Sequence, residues 1–143
     1  MEFTVPVGTI VESSSGGAGA SGERYTIDGN EDLNNFWFTN VSYGSLTLMF
    51  PRAVSIAGVK FAARSWLESD YFIVEVFARL SDGSWMPINS PVDVYVSGFH
   101  SGVHRTDTVW VRSGQYDVIK IDHRQRIDTN KVFCVNEIYL VSN

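Results

Sequence analysis

Apolar residues alternate with other residues in short runs along this chain, and this period of two most limits what the chain can fold into. In one run, Phe72, Val74 and Val76 alternate with Ile73 and Glu75. A period of two places the first set on one face of a β-strand and the second set on the other face. No long run shows the period of 3.6 residues that is typical of a helix. The sequence therefore predicts strands that each bury one face.

Turn-forming residues separate these runs. Gly-containing turns are predicted at residues 57–58, 81–84, 97–98 and 113–114. Pro51 follows another apolar run and is predicted to end its strand, because proline cannot donate to a sheet ladder. About eight short strands divided in this way predict an all-β fold. Their one-sided apolar pattern favours an antiparallel β-sandwich over a barrel.

The length and composition predict one domain that covers residues 1–143. The net charge of −5 argues against a nucleic-acid partner, which would favour a basic surface. No segment reaches the 18 apolar residues of a membrane span, so we expect no membrane insertion. The first ten residues lack the basic start and apolar core of a secretory leader.

Sequence patterns of catalysis are absent. The chain contains no Gly-x-Ser-x-Gly, no His-Glu-x-x-His and no phosphate-binding glycine loop. Its single cysteine, Cys134, lies in an apolar run and is expected to be a buried, unreactive thiol. We therefore expect the protein not to be an enzyme.

Four segments, in order, resemble the discoidin family, which is also called the coagulation factor 5/8 type C family. They are residues 25–30 (Tyr-Thr-Ile-Asp-Gly-Asn) with Phe36 and Trp37, residues 46–59, residues 72–77 with 81–85, and residues 135–140. The resemblance implies a galactose-binding-domain-like jelly-roll sandwich, which also occurs in bacterial carbohydrate-binding modules. The animal members usually join their termini by a disulfide, and this chain has no cysteine pair, which points to a bacterial or viral setting.

The resemblance also implies a structural calcium ion, which sugar-binding members of the family hold near the Asp-Gly-Asn loop. Carried over to this chain, Asp28 and Glu137 would supply carboxylates, and Tyr25 and Asn30 would supply carbonyl or amide oxygens. Asn35 would replace a threonine oxygen that the chain lacks. A mixed set of oxygen ligands suits calcium. In the alternative interpretation, Asp28 caps its own turn and Glu137 pairs with a nearby cationic side chain.

Discoidin-like domains bind ligands through loops at one end of the sandwich, and these loops resemble residues 13–22, 64–70, 97–107 and 122–129. Sugar recognition needs an aromatic surface for the apolar face of the ring and fixed donors for its hydroxyl groups. The candidate ligand-binding residues in these loops are Arg64, Trp66, His100, His104, Arg105 and Arg124.

Two functions remain open at this point. The first is a non-catalytic carbohydrate-binding or adhesion module that recognises a glycan or cell-surface polysaccharide. Such a module would act outside the cell or on a virion surface, for example in a phage tail fibre. The second is a protein-docking or decoration domain without a sugar site, which would bind other virion proteins or the rest of a larger parent chain.

Overall fold

The chain is seen in a computed structural model that describes residues 1–13, 22–31, 36–38, 43–65, 68–98, 101–125 and 133–143. Within these ranges it forms strands and one short 3₁₀ helix (Gly22–Ile27), and all strand pairings are antiparallel. The strands are β1 (Glu2–Thr4), β2 (Ile10–Ser13), β3 (Tyr43–Ser65), β4 (Asp70–Arg79), β5 (Trp85–Pro87), β6 (Val92–Val96), β7 (His104–Arg105), β8 (Val109–Gln125) and β9 (Phe133–Val141). The all-β antiparallel fold that the alternation predicts is therefore confirmed.

Two strands are longer than the sequence predicts: β3 has 23 residues and β8 has 17. β3 continues through Pro51, because its ladder with β8 is interrupted between Met49 and Val54. A proline in such an irregular stretch leaves no ladder hydrogen bond unmade. Residues 57–58 and 113–114 also lie inside strands. The strand end predicted at Pro51 and the turns predicted at these two places are therefore wrong.

These two long strands connect the two layers of the sandwich. In the first layer, the start of β3 pairs with β2 on one side and with the end of β8 on the other. β8 then pairs with β4, which carries β5 and β6 at its edge. In the second layer, the end of β3 lies between β9 and β7, and β1 pairs with β9. Strands that pass from one layer to the other at bulges are a known way to build the corners of a sandwich.

The core lies between the layers and is built from the alternating apolar residues. Phe133 on β9 is part of it, and its ring centroid lies 5.6 Å from that of Phe61 and 4.9 Å from that of Phe72. Trp37 is fully buried, and so is Cys134, as expected from the sequence. Burying one such large apolar side chain contributes about 1.5–3 kcal/mol to folding. In the described part of the chain, no helix is long and apolar enough to cross a membrane.

One end of the sandwich gathers the ends of many strands, and we call it the loop end. Tyr43 at the start of β3 pairs with Arg124 near the end of β8. Ser65 at the end of β3 pairs with Phe133 at the start of β9 and donates its N–H to the Ser97 carbonyl at 2.7 Å. Asp70 at the start of β4 pairs with Val96 at the end of β6. The antiparallel pairings thus bring the predicted ligand-binding segments toward the same end.

Candidate functional site

The structure brings Asp28 and Glu137 together, as the sequence predicts. Asp28 and Gly29 follow the 3₁₀ helix, and Glu137 lies on β9. Both Glu137 carboxylate oxygens accept from the Gly29 N–H at 3.1 Å, and the Asp28 carboxyl group lies close enough to raise the pKa of Glu137. Asp28 also accepts from the Asn30 N–H at 3.0 Å. Asp28 therefore caps its own turn and contacts Glu137, so the two interpretations of Asp28 are compatible.

The surroundings of Glu137 disfavour its charged form. The side chain is fully buried, and burial together with the neighbouring Asp28 and Glu31 carboxylates raises the pKa of Glu137 to about 8. The Gly29 N–H acts in the opposite direction. A buried carboxyl group beside other carboxylates is stabilised by a bound proton or by a nearby cation.

The oxygens at this place fit a hard cation. Asp28 and Glu137 supply two carboxylates, and Asn30 places amide and carbonyl oxygens in the same turn. Tyr25 lies in the preceding 3₁₀ helix, and Asn35 lies outside the described residues. Among the residues that the structure describes, no group of three His, Cys, Asp or Glu side chains is close enough to bind a metal. A cation here would therefore depend on carbonyl, amide or water oxygens as well, and calcium accepts such a mixture.

An ion-pair network, which the sequence did not predict, surrounds Arg105. Its guanidinium pairs with Glu2, lies 3.2 Å from a Glu31 carboxylate oxygen and donates to the Tyr139 hydroxyl at 3.2 Å. The guanidinium carbon lies 4.3 Å from the centroid of the Tyr139 ring, and Lys60 also pairs with Glu2 at 3.4 Å. Glu31 thus lies between Arg105 and the Asp28–Glu137 pair, to which its charge is coupled.

A cavity of about 380 Å³ opens between the end of β6 and β7. It is lined by Tyr95, Val96, Ser97, Ser101, His104 and Arg105. This volume is in the range of small-ligand sites. His104 donates from Nε2 to the Ser101 carbonyl at 2.8 Å, which fixes the ring, and the Tyr95 side chain is 50% exposed. The cavity therefore combines an open aromatic ring with hydroxyl, imidazole and guanidinium groups.

Other cavities of similar size lack this combination. One of about 380 Å³ at the opposite end of the sandwich is lined by Ser55, Ile56, Ser113, Gly114, Gln115, Ser142 and Asn143. Another of about 500 Å³ is lined by Arg79, Leu80, Ser81, Gly83, Asp117 and Val118. Among the described residues that line these two cavities there is no aromatic ring, so the cavity between β6 and β7, which we call the β6–β7 cavity, is the better candidate for a sugar.

The predicted ligand-binding residues do not all meet at this cavity. His104 and Arg105 line it. Arg64 is 3% exposed, and its guanidinium carbon lies 5.4 Å from the Phe36 ring centroid. Burial lowers the pKa of Arg64, and the nearby Cys134 acts in the opposite direction. Arg64 is therefore a covered side chain under the segment that carries Phe36, rather than an exposed contact.

Arg124 was predicted on a binding loop, but the structure places it in β8. It is exposed on the outer face of the first layer, opposite Tyr43 and Ile73. Residues 122–125 continue the strand because inward and outward positions still alternate there. The two remaining candidates, Trp66 and His100, lie outside the described residues.

His123 lies in the same predicted loop but is a core residue. It is 3% exposed, and its ring centroid is 5.4 Å from Trp37 and 4.9 Å from Phe133. Burial lowers the pKa of His123 to about 3, so the imidazole is neutral at physiological pH. In the sequence, His123 follows Ile119 and Ile121 at the same spacing of two residues. This alternation was the signal that could have assigned it to the core.

No family model matches the sequence, and no curated protein matches it significantly. Solved structures do share its fold. The module CpGH89CBM32-5 from Clostridium perfringens, in complex with GalNAc-β-1,3-galactose, has a TM-score of 0.70 and 16% identity. The match covers 94% of this chain and 95% of that one.

Two further structures are similar. The family 32 carbohydrate-binding module from C. perfringens NanJ, in complex with galactose, has a TM-score of 0.71 and 17% identity over 98% of both chains. A Ruminococcus gnavus GH29 fucosidase in complex with fucose has a TM-score of 0.64 and 17% identity, covering 95% of this chain and 25% of that one. This chain thus spans a quarter of the fucosidase. Membership of the discoidin family stays a prediction, and what these structures establish is that the chain has the galactose-binding-like β-sandwich fold of carbohydrate-binding modules.

Proposed function

We propose that this chain is a non-catalytic glycan-binding module that acts outside the cell. The observation that carries the proposal is the β6–β7 cavity, where Tyr95, His104 and Arg105 meet two serines at the loop end of the sandwich. The fold supports it, because similar solved structures are carbohydrate-binding modules in complex with sugars.

The groups that line the cavity suit a sugar. A pyranose has apolar C–H faces and several hydroxyl groups, so it needs an aromatic surface and fixed hydrogen-bonding groups. Tyr95 provides the aromatic surface. His104 is held by Ser101, and Arg105 is held by Glu2 and Glu31, so these polar groups keep their positions before a ligand arrives. Such preorganisation lowers the entropic cost of binding.

Cys134 and Glu137, two potentially reactive groups with strongly raised pKa values, support a role in binding rather than catalysis. Burial raises the pKa of the Cys134 thiol to about 12, so it is not a nucleophile at neutral pH. Glu137 is fully buried beneath Gly29 and does not line the β6–β7 cavity. Neither group reaches a sugar bound in that cavity.

The proposal includes a structural role for a calcium ion at Asp28 and Glu137. Bound there, calcium would supply positive charge that stabilises the ionised Glu137 carboxylate and fixes the loop against β9. The residues of this chain would do the rest: Glu137 holds Gly29, and Glu31 positions Arg105 beside the β6–β7 cavity. The virion setting and the docking to other proteins stay predictions from the sequence.

A glycan array tests the proposed function. We expect the protein to bind at least one glycan series, and His104→Ala and Tyr95→Ala to lower that affinity at least tenfold. Trp110→Ala is the matched control, because Trp110 is 65% exposed and does not line the β6–β7 cavity. A silent array together with binding to a virion or parent-chain protein would instead favour the docking domain.

A further inference from the structure

An exposed pair of tyrosines lies on the outer face of the first layer, beside the loop end. Tyr71 on β4 and Tyr95 on β6 are directly opposite each other, and their ring centroids are 5.4 Å apart at an interplanar angle of 65°. Their neighbours Phe72 and Val94 point into the core, so both tyrosines face outward. The two side chains are 42% and 50% exposed. The pair forms a small aromatic platform, which we call the tyrosine platform.

The tyrosine platform is continuous with the β6–β7 cavity. Tyr95 belongs to both, because it lines the cavity and also contacts the Tyr71 ring edge to face. A sugar seated in the cavity would therefore have its next neighbour in the chain directed toward Tyr71. Aromatic rings bind the apolar faces of successive sugars without requiring one particular pattern of hydroxyl groups.

Polar groups follow the platform along the same face. On β4, Glu75 lies four residues after Tyr71 on the same face, with the apolar Ile73 between them. At the rise of a strand, Tyr71 and Glu75 are roughly 13 Å apart. Glu75 and Asp122 line a notch of about 30 Å³, where the Tyr43 hydroxyl donates to Asp122 at 3.1 Å. This volume admits one hydroxyl group or one water molecule. The face thus presents an aromatic platform followed by a notch with hydrogen-bonding carboxylates.

The charges of this face favour an uncharged ligand. Three carboxylates lie along it, those of Asp93, Glu75 and Asp122, together with three cations, Arg79, Lys120 and Arg124, so the face has no excess of positive charge that would select an anionic polymer. Lys120 lies 3.9 Å from Asp122 and is held over aromatic rings of the same face, so part of this positive charge is already compensated. With a net charge of −5 for the whole chain, a polymer of uronic acids or sulfated sugars would be repelled.

We propose that the tyrosine platform and the carboxylate notch extend the β6–β7 cavity into a chain-binding surface for an uncharged glycan of several sugar units. This inference rests on the proposed function and deepens it, because it names the ligand class. The protein then recognises internal units of a polysaccharide as well as a single sugar in the cavity.

The test uses the full chain and immobilised ladders of one to six sugar units, derived from galactan, mannan, β-glucan and chitin, with oligogalacturonate as the charged ladder. We expect the affinity for the tetrasaccharide of a bound neutral ladder to exceed that for its monosaccharide at least tenfold. Tyr71→Ala should reduce the tetrasaccharide affinity to within about twofold of the monosaccharide affinity, while the monosaccharide affinity stays unchanged. Tyr71→Phe should retain most of the length effect.

Trp110→Ala again serves as control, because it removes an exposed aromatic ring that lies outside the platform. An affinity that does not grow with chain length, or a length effect that survives in Tyr71→Ala, overturns this inference but leaves the glycan-binding function intact. Stronger binding of the oligogalacturonate ladder overturns the assignment to an uncharged ligand. If no ladder binds while the array shows a bound glycan, the inference alone fails; if the array is also silent, the proposed function fails with it.

Discussion

The backbone N–H of Gly29 donates to both carboxylate oxygens of Glu137, at 3.1 Å each, across 108 residues of sequence. Gly29 adopts φ of 76°, a left-handed conformation that glycine reaches without a steric penalty. The contact fastens the loop after the 3₁₀ helix to the last strand. Because its acceptor is a buried acid beside a second acid, the position of this loop depends on what balances their charge.

Calcium should stabilise the fold through this pair. At a calcium concentration 100 times its Kd, binding to the native state alone adds about 2.7 kcal/mol to the free energy of unfolding. For a domain of this size we expect Tm to rise by about 5 °C or more relative to the protein in chelator. Differential scanning calorimetry at pH 8, with calcium or with a chelator, measures the change.

Glu137→Gln should abolish the calcium effect, because the amide keeps an oxygen but loses the charge. In chelator at pH 8, this variant should be at least as stable as the wild type, since ionisation of the buried acid is avoided. Glu12→Gln, which changes an exposed acid on β2, is the matched control and should keep the full calcium response. Equal Tm values for the wild-type protein with and without calcium would count against the cation site.

Acidification should destabilise the protein through His123. Burial lowers the pKa of His123 from 6.5 to about 3, so the unfolded chain binds a proton in this range and the native state does not. The contribution of neutral His123 to the free energy of unfolding is therefore complete above pH 6.5, and it is lost as the pH falls toward 3. Between pH 7 and pH 5 the free energy of unfolding should fall by about 2 kcal/mol, because each unit of difference in pKa corresponds to about 1.4 kcal/mol.

Urea unfolding of the wild type and of His123→Gln at both pH values isolates this contribution, because all other titrating groups are shared. The free energy of unfolding of the wild type should fall by about 2 kcal/mol more than that of the variant. Parallel pH profiles for the two proteins would show that His123 does not remain neutral in the core.

The strand pattern and one long-range pairing could be predicted from the sequence. The alternation around Phe72 and Val74 identified core positions correctly, because a period of two directly reports a one-sided strand. The pairing of Asp28 with Glu137 followed from a resemblance that covers both segments. The passage of β3 through Pro51 could not be predicted, since the bulge that accommodates proline depends on the register with β8.

The binding surface was predicted less completely, because side-chain exposure depends on what lies above each residue. Arg64 looked like a loop residue, yet Phe36 covers it. Arg105 was predicted on a loop but lies in β7, and its partners Glu2 and Glu31 come from distant segments. Tyr71 and Tyr95 form a pair only because β4 and β6 adopt one particular register, and no local pattern specifies that register.

The core around Phe133 should be sensitive to truncation. Phe133→Ala removes a ring that contacts Phe61, Phe72 and His123, and should lower the free energy of unfolding by about 3–5 kcal/mol. Trp110→Ala, at a largely exposed ring, should change it by less than about 0.5 kcal/mol. Chemical denaturation measures both values, and similar losses for the two variants would contradict the assignment of Phe133 to the core.

The most direct test of the central claim is an NMR titration of the ¹⁵N-labelled protein with the neutral oligosaccharide that binds best on the array. The account predicts that chemical-shift changes cluster at Tyr95, Ser97, Ser101 and His104 and extend to Tyr71. Changes confined to the cavity at the opposite end, around Ser55 and Gln115, would contradict it.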